Sequence, residues 1–209
     1  MARRGIIIAA IVIAVAICIT FALLVASQKP QVVTPATHRI SAKLACPEWP
    51  QVSVEYARNF KLKRIGPHYL LLVDSEGQRF ILVPRGCPPP RNVTNARVIY
   101  VPVRRVVYFS STEVALLYRI AEYTHNYSLL RTVIGICFRS IWLPVVKQLV
   151  ANNTIRFMGF SWNPNFELIV ASKPDVVVLY TGLPQMEQVY NKLRNYNLTV
   201  LVDLSLIHI

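Results

Sequence analysis

Eight side chains able to bind a small molecule follow short apolar segments that have the pattern of buried strands. Hydroxyl groups donate and accept hydrogen bonds, a guanidinium binds carboxylate or catecholate oxygens in pairs, and Trp and Tyr cover flat apolar surfaces. Because the carboxyl ends of parallel strands meet at one edge of a sheet, we expect these side chains to share one binding edge. They are Ser110, Ser111, Thr112, Arg139, Ser161, Trp162, Tyr180 and Thr181.

The same residues also have simpler explanations. The hydroxyls of Ser110, Ser111 and Thr112 suit the N-cap of a following helix. Arg139 belongs to a chain with 23 Lys and Arg against 10 Asp and Glu, so it also fits a solvated surface base. Trp162 equally fits the core of the domain. The sequence alone leaves both explanations open.

The elements that position these residues alternate between strand and helix. Short β-branched runs predict strands over 105–109, 131–136, 155–159, 176–179 and 198–202. The helical pattern predicts helices over 114–122, 142–150 and 184–196, and between Pro164 and Lys173. This alternation implies right-handed crossovers and a single five-stranded parallel sheet with flanking helices. The expected fold class is α/β.

Residues 163–180 resemble a known family signature. They are similar to the N-x-E, helix, K-P-D, strand pattern of the extracytoplasmic solute-binding proteins that serve ABC importers for ferric siderophores, haem and cobalamin. The matching residues are Asn165, Glu167, Lys173, Pro174 and Asp175. Residues 110–113 (SSTE) match the family's serine or threonine followed by T-E. Residues 123–130 depart from it, because the family's glycine-rich turn is here longer and has no glycine.

The resemblance implies the first lobe of a two-lobe periplasmic-binding-protein-like fold. Such a protein captures a metal chelate (ferric siderophore, haem or cobalamin) and delivers it to a membrane permease with its ATPase, without a cofactor of its own and without catalysis. Tyr180 stands where a cobalamin-binding relative places a stacking tryptophan. Glu187 aligns with a glutamate that docks on permease arginines, although an acid at a helix start also suits the helix dipole.

Residues 1–28 predict a signal anchor or transmembrane helix. No charged residue lies between Arg4 and Lys29, and an apolar helix of this length spans about 30 Å. Arg3 and Arg4 favour a cytoplasmic start and an extracytoplasmic remainder, with a cleaved signal peptide as the alternative. Cys18 is expected to be a small apolar residue in that helix rather than a site of lipidation. Residues 29–51, rich in proline, are predicted to be a tether.

Residues 52–90 predict a β-meander and linker ahead of the lobe at 97–203. Three strands are expected over 60–65, 68–74 and 79–84, separated by turn residues. The start of this segment at residues 56–60 (YARNF) is similar to that of a meander found in a subset of the family. In an oxidising compartment Cys46 and Cys87 are the expected disulfide, and an odd cysteine remains.

The formal charge of +13 does not indicate a nucleic-acid-binding protein. The basic residues are scattered and form no stripe interleaved with aromatic residues. A cationic cleft for anionic ligands, or attraction to a negatively charged membrane surface, accounts for the charge better. An enzyme is not expected, because the sequence has no G-x-S-x-G or H-E-x-x-H motif.

Residues 204–209 (LSLIHI) match the translation of a common transposase-adaptor DNA end. We expect a reading frame truncated near Asp203, so that the chain holds half of a two-lobe site. The alternatives are a one-lobe, membrane-anchored adhesion, sensor or adaptor module, and, less favoured, a metallocofactor enzyme of related fold. That enzyme would need Cys or His ligands near the strand ends, where only Cys137 is found.

Overall fold

The structure, a computed structural model, describes residues 46–55, 59–91, 95–139 and 142–203. The strands are β1 (Lys61–Ile65), β2 (Tyr69–Val73), β3 (Arg79–Pro84), β4 (Arg97–Val101), β5 (Val106–Tyr108), β6 (Val133–Ile136), β7 (Arg156–Phe157), β8 (Gly159–Phe160), β9 (Asn163–Pro164), β10 (Val176–Leu179) and β11 (Val200–Val202). The helices are α1 (Ser111–Tyr123), α2 (Pro144–Ala151), α3 (Phe166–Ala171) and α4 (Pro184–Asn195), with a 3₁₀ helix at Tyr127–Thr132.

The central sheet has the strand order β11-β10-β5-β6-β7, and every pair in it is parallel. Its middle strands are apolar runs whose side chains are covered on both faces, as parallel sheets require. The predicted α/β class, with a parallel sheet and flanking helices, is therefore confirmed.

Successive side chains of a strand in the parallel sheet pack in different hydrophobic cores, because they point to opposite faces of the sheet. Val177 and Leu179 pack in one core with Ile169 of α3 and Leu193 of α4. On the other face, α1 and α2 cover β6 through Val114, Val146 and their neighbours. The same face of β10 and β11 is covered by the second sheet, where Phe80 packs with Val176.

The second sheet has the order β1-β2-β3-β4. The first three strands are antiparallel, and they lie close to the three predicted strands. β4 was not predicted, and it pairs parallel to β3. It is held by the burial of Ile99 against Phe80, a contact with a residue distant in sequence.

Asp175 of the K-P-D motif joins the two sheets. It lies just before β10, at the amino ends of the strands of the parallel sheet. Its carboxylate accepts a 2.6 Å hydrogen bond from the Arg85 guanidinium, together with bonds from the backbone amides of Arg104 and Arg105. Hydrogen bonds to a charged acceptor are stronger than neutral ones. The motif therefore has a structural role in this chain, fixing the entry into β5 and β10.

Cys46 and Cys87 form a disulfide, as predicted. Cys137 is buried and not disulfide-bonded. None of the helices in the described ranges could span a membrane. The anchor at 1–28, most of the tether, residues 56–58 and the tail at 204–209 lie outside those ranges. The domain boundaries at 52–90 and 97–203 remain predictions, and the described residues fall in one compact unit.

Candidate functional site

A polar crevice lies at the point where the strand order of the parallel sheet reverses. The strands that follow β5 in the chain lie first on one side of it (β6 and β7) and then on the other (β10 and β11). The segments leaving β5 and β10 therefore separate and open a cleft, the usual ligand position in such sheets. The cavity measures about 260 Å³ and is lined by Phe109, Ser110, Ser111, Thr112, Glu113, Phe138, Ser161, Tyr180 and Asp203.

The segment after β5 forms a capping box that also lines the crevice. The Thr112 amide donates to the Ser110 hydroxyl at 3.2 Å, and the Ser110 amide donates to the Glu113 carboxylate at 3.3 Å. This reciprocal arrangement stabilises the start of α1. Ser110 therefore caps α1 and also lines the crevice. The hydroxyls of Ser111 and Thr112 have no hydrogen-bond partner among the described residues.

The hairpin of β8 and β9 places Ser161 inside the crevice. Gly159 has a φ of +93°, and an added Cβ would lie 2.8 Å from the backbone oxygen of Asn163, so this tight hairpin needs glycine. Ser161 at its tip is only 6% exposed. Its hydroxyl has no hydrogen-bond partner in the part of the chain that the structure describes.

The aromatic residues beside Ser161 lie outside the crevice lining. Phe160 and Trp162 stack with ring centroids 5.0 Å apart, and Trp162 is 63% exposed, so the alternative that it belongs to the core is wrong. The Arg139 guanidinium lies 4.7 Å from the centroid of the Phe157 ring and 5.8 Å from that of Phe160. These side chains form an exposed stack next to the cavity.

The turn after β2, in the second sheet, forms hydrogen bonds with the segment after β10 and with the last residue of β11. Thr181 is buried, and its hydroxyl donates to Glu76 at 2.6 Å. The buried Asp74 carboxylate accepts from the Val202 amide at 3.2 Å and from the Gln78 amide at 2.8 Å. Thr181 therefore positions the segment after β10 rather than lining the cavity.

The structure thus brings together five of the predicted binding residues. Arg139, Trp162 and Thr181 are not among the residues that line the crevice. Glu113 and Asp203 line it and were not predicted as binding residues, although each follows a predicted strand. The sequence held a signal for both, because Glu113 ends the SSTE segment that follows one predicted strand and Asp203 directly follows another.

Glu113 is a buried carboxyl group in the crevice lining, and its pKa is shifted. Burial raises the pKa of its carboxyl well above the usual range, the hydrogen bond from the Ser110 amide opposes this, and the charge of Asp203 raises it further. Burial and the Glu113 charge raise the pKa of Tyr108 to about 12, and the same two causes raise the pKa of the Cys137 thiol. Both charged residues in the lining are acidic.

Glu113 is expected to make the protein less stable as the pH rises. The folded state binds the Glu113 proton more tightly than the unfolded state does. The contribution of this proton to the free energy of unfolding is therefore fully present below the unfolded-state pKa of Glu113, and it is lost as the pH rises through the folded-state pKa. Glu113→Gln keeps the capping box and has no charge to bury. Urea unfolding of both proteins from about pH 4 to pH 8 should show the variant gaining on the wild type with rising pH. Parallel profiles would contradict this assignment.

A second, larger groove of about 500 Å³ lies between α1 and the second sheet. Most of its lining is apolar, including Phe60, Leu72, Leu116 and Ile120. Asp74 in this groove already accepts hydrogen bonds from three backbone amides and the Gln78 side chain. In the described ranges, no three His, Cys, Asp or Glu residues gather into a metal site. The hydroxyls of Ser111, Thr112 and Ser161, which have no hydrogen-bond partner among the described residues, converge in the smaller crevice, which is therefore the better candidate site.

Comparison with curated proteins finds two relatives of unknown function in Methanocaldococcus jannaschii. Uncharacterized lipoprotein MJ0878 is 29% identical over 143 residues, which are 65% of this chain and 34% of that protein. Uncharacterized lipoprotein MJ0872 is 30% identical over 153 residues, which are 70% of this chain and 37% of that protein. The chain spans about a third of the length of these relatives. No protein-family model matches it.

Two solved structures align with about half of the chain. The iron uptake ABC transporter substrate-binding protein PiuA of Streptococcus pneumoniae aligns with a TM-score of 0.36 and 18% identity, covering 48% of this chain and 30% of that one. SirA of Staphylococcus aureus, solved with staphyloferrin B, aligns with a TM-score of 0.35 and 20% identity, covering 51% of this chain and 32% of that one.

Proposed function

We propose that this chain is a solute-binding lobe of the extracytoplasmic component of an ABC importer, and that it captures a metal chelate. The observation that carries the proposal is the polar crevice at the carboxyl edge of the parallel sheet, where hydroxyls that have no partner among the described residues converge from separate segments. The N-x-E and K-P-D signature supports the same assignment. The chelate, whether ferric siderophore, haem or cobalamin, is the cargo, and the protein makes and breaks no bond.

Each segment of the site has a distinct task in this proposal. Ser111, Thr112 and Ser161 offer hydroxyls to the bound solute, and the Tyr180 ring covers an apolar part of it. Thr181 and Glu76 fix the segment that carries Tyr180. The exposed stack of Arg139, Phe160 and Trp162 extends the contact beyond the crevice.

In this proposal, α4 docks on the membrane permease that receives the chelate. Glu187 is exposed in the first turn of this helix, where it is accessible to the arginines of a permease. Charges at the rim of an interface steer and orient docking more than they add affinity. The name lipoprotein carried by both relatives supports an extracytoplasmic, membrane-attached location, and the Cys46–Cys87 disulfide suits an oxidising compartment. Anchorage by the N-terminal helix is part of this proposal.

A matched pair of tyrosine variants tests the proposal. Tyr180 lines the crevice, whereas Tyr123 is 88% exposed on α1. Binding would be followed by tryptophan fluorescence with a ferric trihydroxamate, a ferric catecholate, haemin and cyanocobalamin. For a chelate that binds, Tyr180→Ala should weaken affinity by up to about tenfold, the value of an aromatic contact of about 1.4 kcal/mol.

The control variant Tyr123→Ala should leave that affinity within about twofold. Circular dichroism spectra of both variants would verify that each is folded. Absence of binding by all four chelates at millimolar concentration, or equal losses in the two variants, would overturn the proposal.

A further inference from the structure

Asparagines that begin an Asn-X-Ser/Thr triplet are more frequent in this chain than chance predicts. The sequence has 11 asparagines, and 21 of its 209 residues are serine or threonine, so about one such triplet would be expected by chance. Four are present, beginning at Asn92, Asn126, Asn152 and Asn197, and none has proline in the middle. This triplet is the acceptor of N-linked glycans in exported proteins. Asn92 lies outside the described residues, so the structure bears on the other three.

The three described triplets occupy the same kind of connection. Asn126 follows α1, Asn152 is the C-cap residue of α2, and Asn197 follows α4. Each connection leads from the end of a helix to the start of a strand of the parallel sheet, which is β6, β7 or β11. The starts of parallel strands meet at one edge of a sheet, and ligands bind at the other. All three asparagines therefore lie at the amino edge of the sheet, opposite the crevice.

The acceptor side chains are accessible, because Asn126, Asn152 and Asn197 are all exposed. The Asn126 carboxamide oxygen accepts a hydrogen bond from the Ser128 hydroxyl at 2.5 Å, and that of Asn152 accepts one from the Thr154 amide at 3.1 Å. These bonds bring the third residue of each triplet beside its asparagine. The Nδ2 nitrogens of the three asparagines, which would carry the sugar, have no hydrogen-bond partner in the described part of the chain.

Glycans at this edge would leave the other proposed contacts of the protein free. The crevice lining includes no residue of the three triplets. Glu187 lies in the first turn of α4 and Asn197 lies beyond its last turn, so the two are separated by about 15 Å along the helix axis. A bulky hydrophilic group on Asn197 is therefore compatible with docking through Glu187.

We propose that Asn126, Asn152 and Asn197 are sites of N-glycosylation, with an oligosaccharide on a lipid-linked phosphate as the donor. Nδ2 of the asparagine forms a bond to the anomeric carbon of the sugar, and the bond from that carbon to the phosphate oxygen breaks. The phosphate leaves with the electron pair, and the amide loses one proton to solvent. The inference goes beyond the binding function, and it rests only on the extracytoplasmic location that forms part of the proposed function.

Mass spectrometry of the exported protein tests the inference. The full chain would be exported through the secretory pathway of a eukaryotic host, with one further Asn-Gly-Thr triplet appended after Ile209 as a reporter of export. Enzymatic removal of N-linked glycans in H₂¹⁸O converts each modified asparagine to ¹⁸O-labelled aspartate, which peptide mass spectrometry locates. We expect the label at positions 126, 152 and 197 and in the appended triplet.

Single variants assign each glycan independently. Asn126→Gln, Asn152→Gln and Asn197→Gln should each remove one glycan from the intact mass. The control Asn191→Gln, at an exposed position of α4 that begins no triplet, should remove none.

Two outcomes would contradict the inference in different ways. Label in the appended triplet, with none at positions 126, 152 and 197, would overturn the inference and leave the proposed function standing. An unlabelled appended triplet would show that the chain is not exported, and would overturn the extracytoplasmic location on which both proposals depend.

Discussion

Replacing Asp74 by alanine is expected to destabilise the protein by about 3 kcal/mol and to weaken chelate binding. The buried Asp74 carboxylate accepts hydrogen bonds from the Gln78 and Val202 amides. Alanine leaves these donors without an acceptor, and each such buried group costs about 1–3 kcal/mol. Because Val202 immediately precedes Asp203, the loss should also loosen that wall of the crevice. Urea unfolding and fluorescence titration would measure the two effects.

Asp74→Asn is the matched control for this experiment. Its amide oxygen can still accept from the Glu76 and Gln78 amides, as the Asp74 Oδ1 atom does. The asparagine NH₂ group would face the Val202 amide and repel it, so an intermediate loss of about 1–2 kcal/mol is expected. If Asp74→Ala unfolded at the same urea concentration as the wild type, the second sheet would not hold the crevice as described.

Gly159→Ala is expected to cost about 3 kcal/mol of stability and most of the chelate affinity. The φ of Gly159 is +93°, and an added Cβ would lie 2.9 Å from both the Asn165 amide nitrogen and the Pro164 Cα. These contacts are with backbone atoms, which cannot move away as a flexible side chain can, and a strained backbone alone costs about 1–3 kcal/mol. The hairpin must open, so Ser161 should leave the crevice.

Gly77→Ala separates backbone strain from the steric clash. Gly77 has a φ of +73°, but an added Cβ there would meet no atom within 4 Å. This control should lose about 1 kcal/mol and retain chelate binding. Comparable losses of binding in the two variants, measured by fluorescence titration, would show that the β8 and β9 hairpin does not set the position of Ser161.

The parallel sheet was predictable because its strands are encoded locally. Residues 176–179 form β10 as predicted, since the β-branched run lies between the Lys173-Pro174 stop and a loop. α4 begins at Pro184 as predicted, and it ends one residue early. α3 begins later than expected, because Asn165 caps it and Pro164 lies in β9.

The missed elements depend on contacts between distant segments. β4 is a strand only because β3 supplies its hydrogen-bonding partner and Phe80 buries Ile99. β8 and β9 are two residues each, too short for any periodic pattern to reveal.

The binding residues divide in the same way. Ser110, Ser161 and Tyr180 were found because strand ends can be located from sequence and then placed at one edge. Thr181 follows a strand equally closely, yet it bonds to Glu76 from a sheet distant in sequence. Glu113 and Asp203 also line the crevice, and they were not predicted as binding residues because the net charge of the chain says nothing about which side chains line a particular cavity.

The most direct test of the central claim is a map of where a chelate binds. Amide NMR shifts of the ¹⁵N-labelled chain would be followed during titration with the diamagnetic gallium complex of a linear trihydroxamate. The account predicts that the largest shifts fall on residues 110–113, Ser161, Tyr180 and Asp203. Shifts concentrated on Leu72, Leu116 and Ile120 in the apolar groove, or no shifts at millimolar ligand, would contradict it.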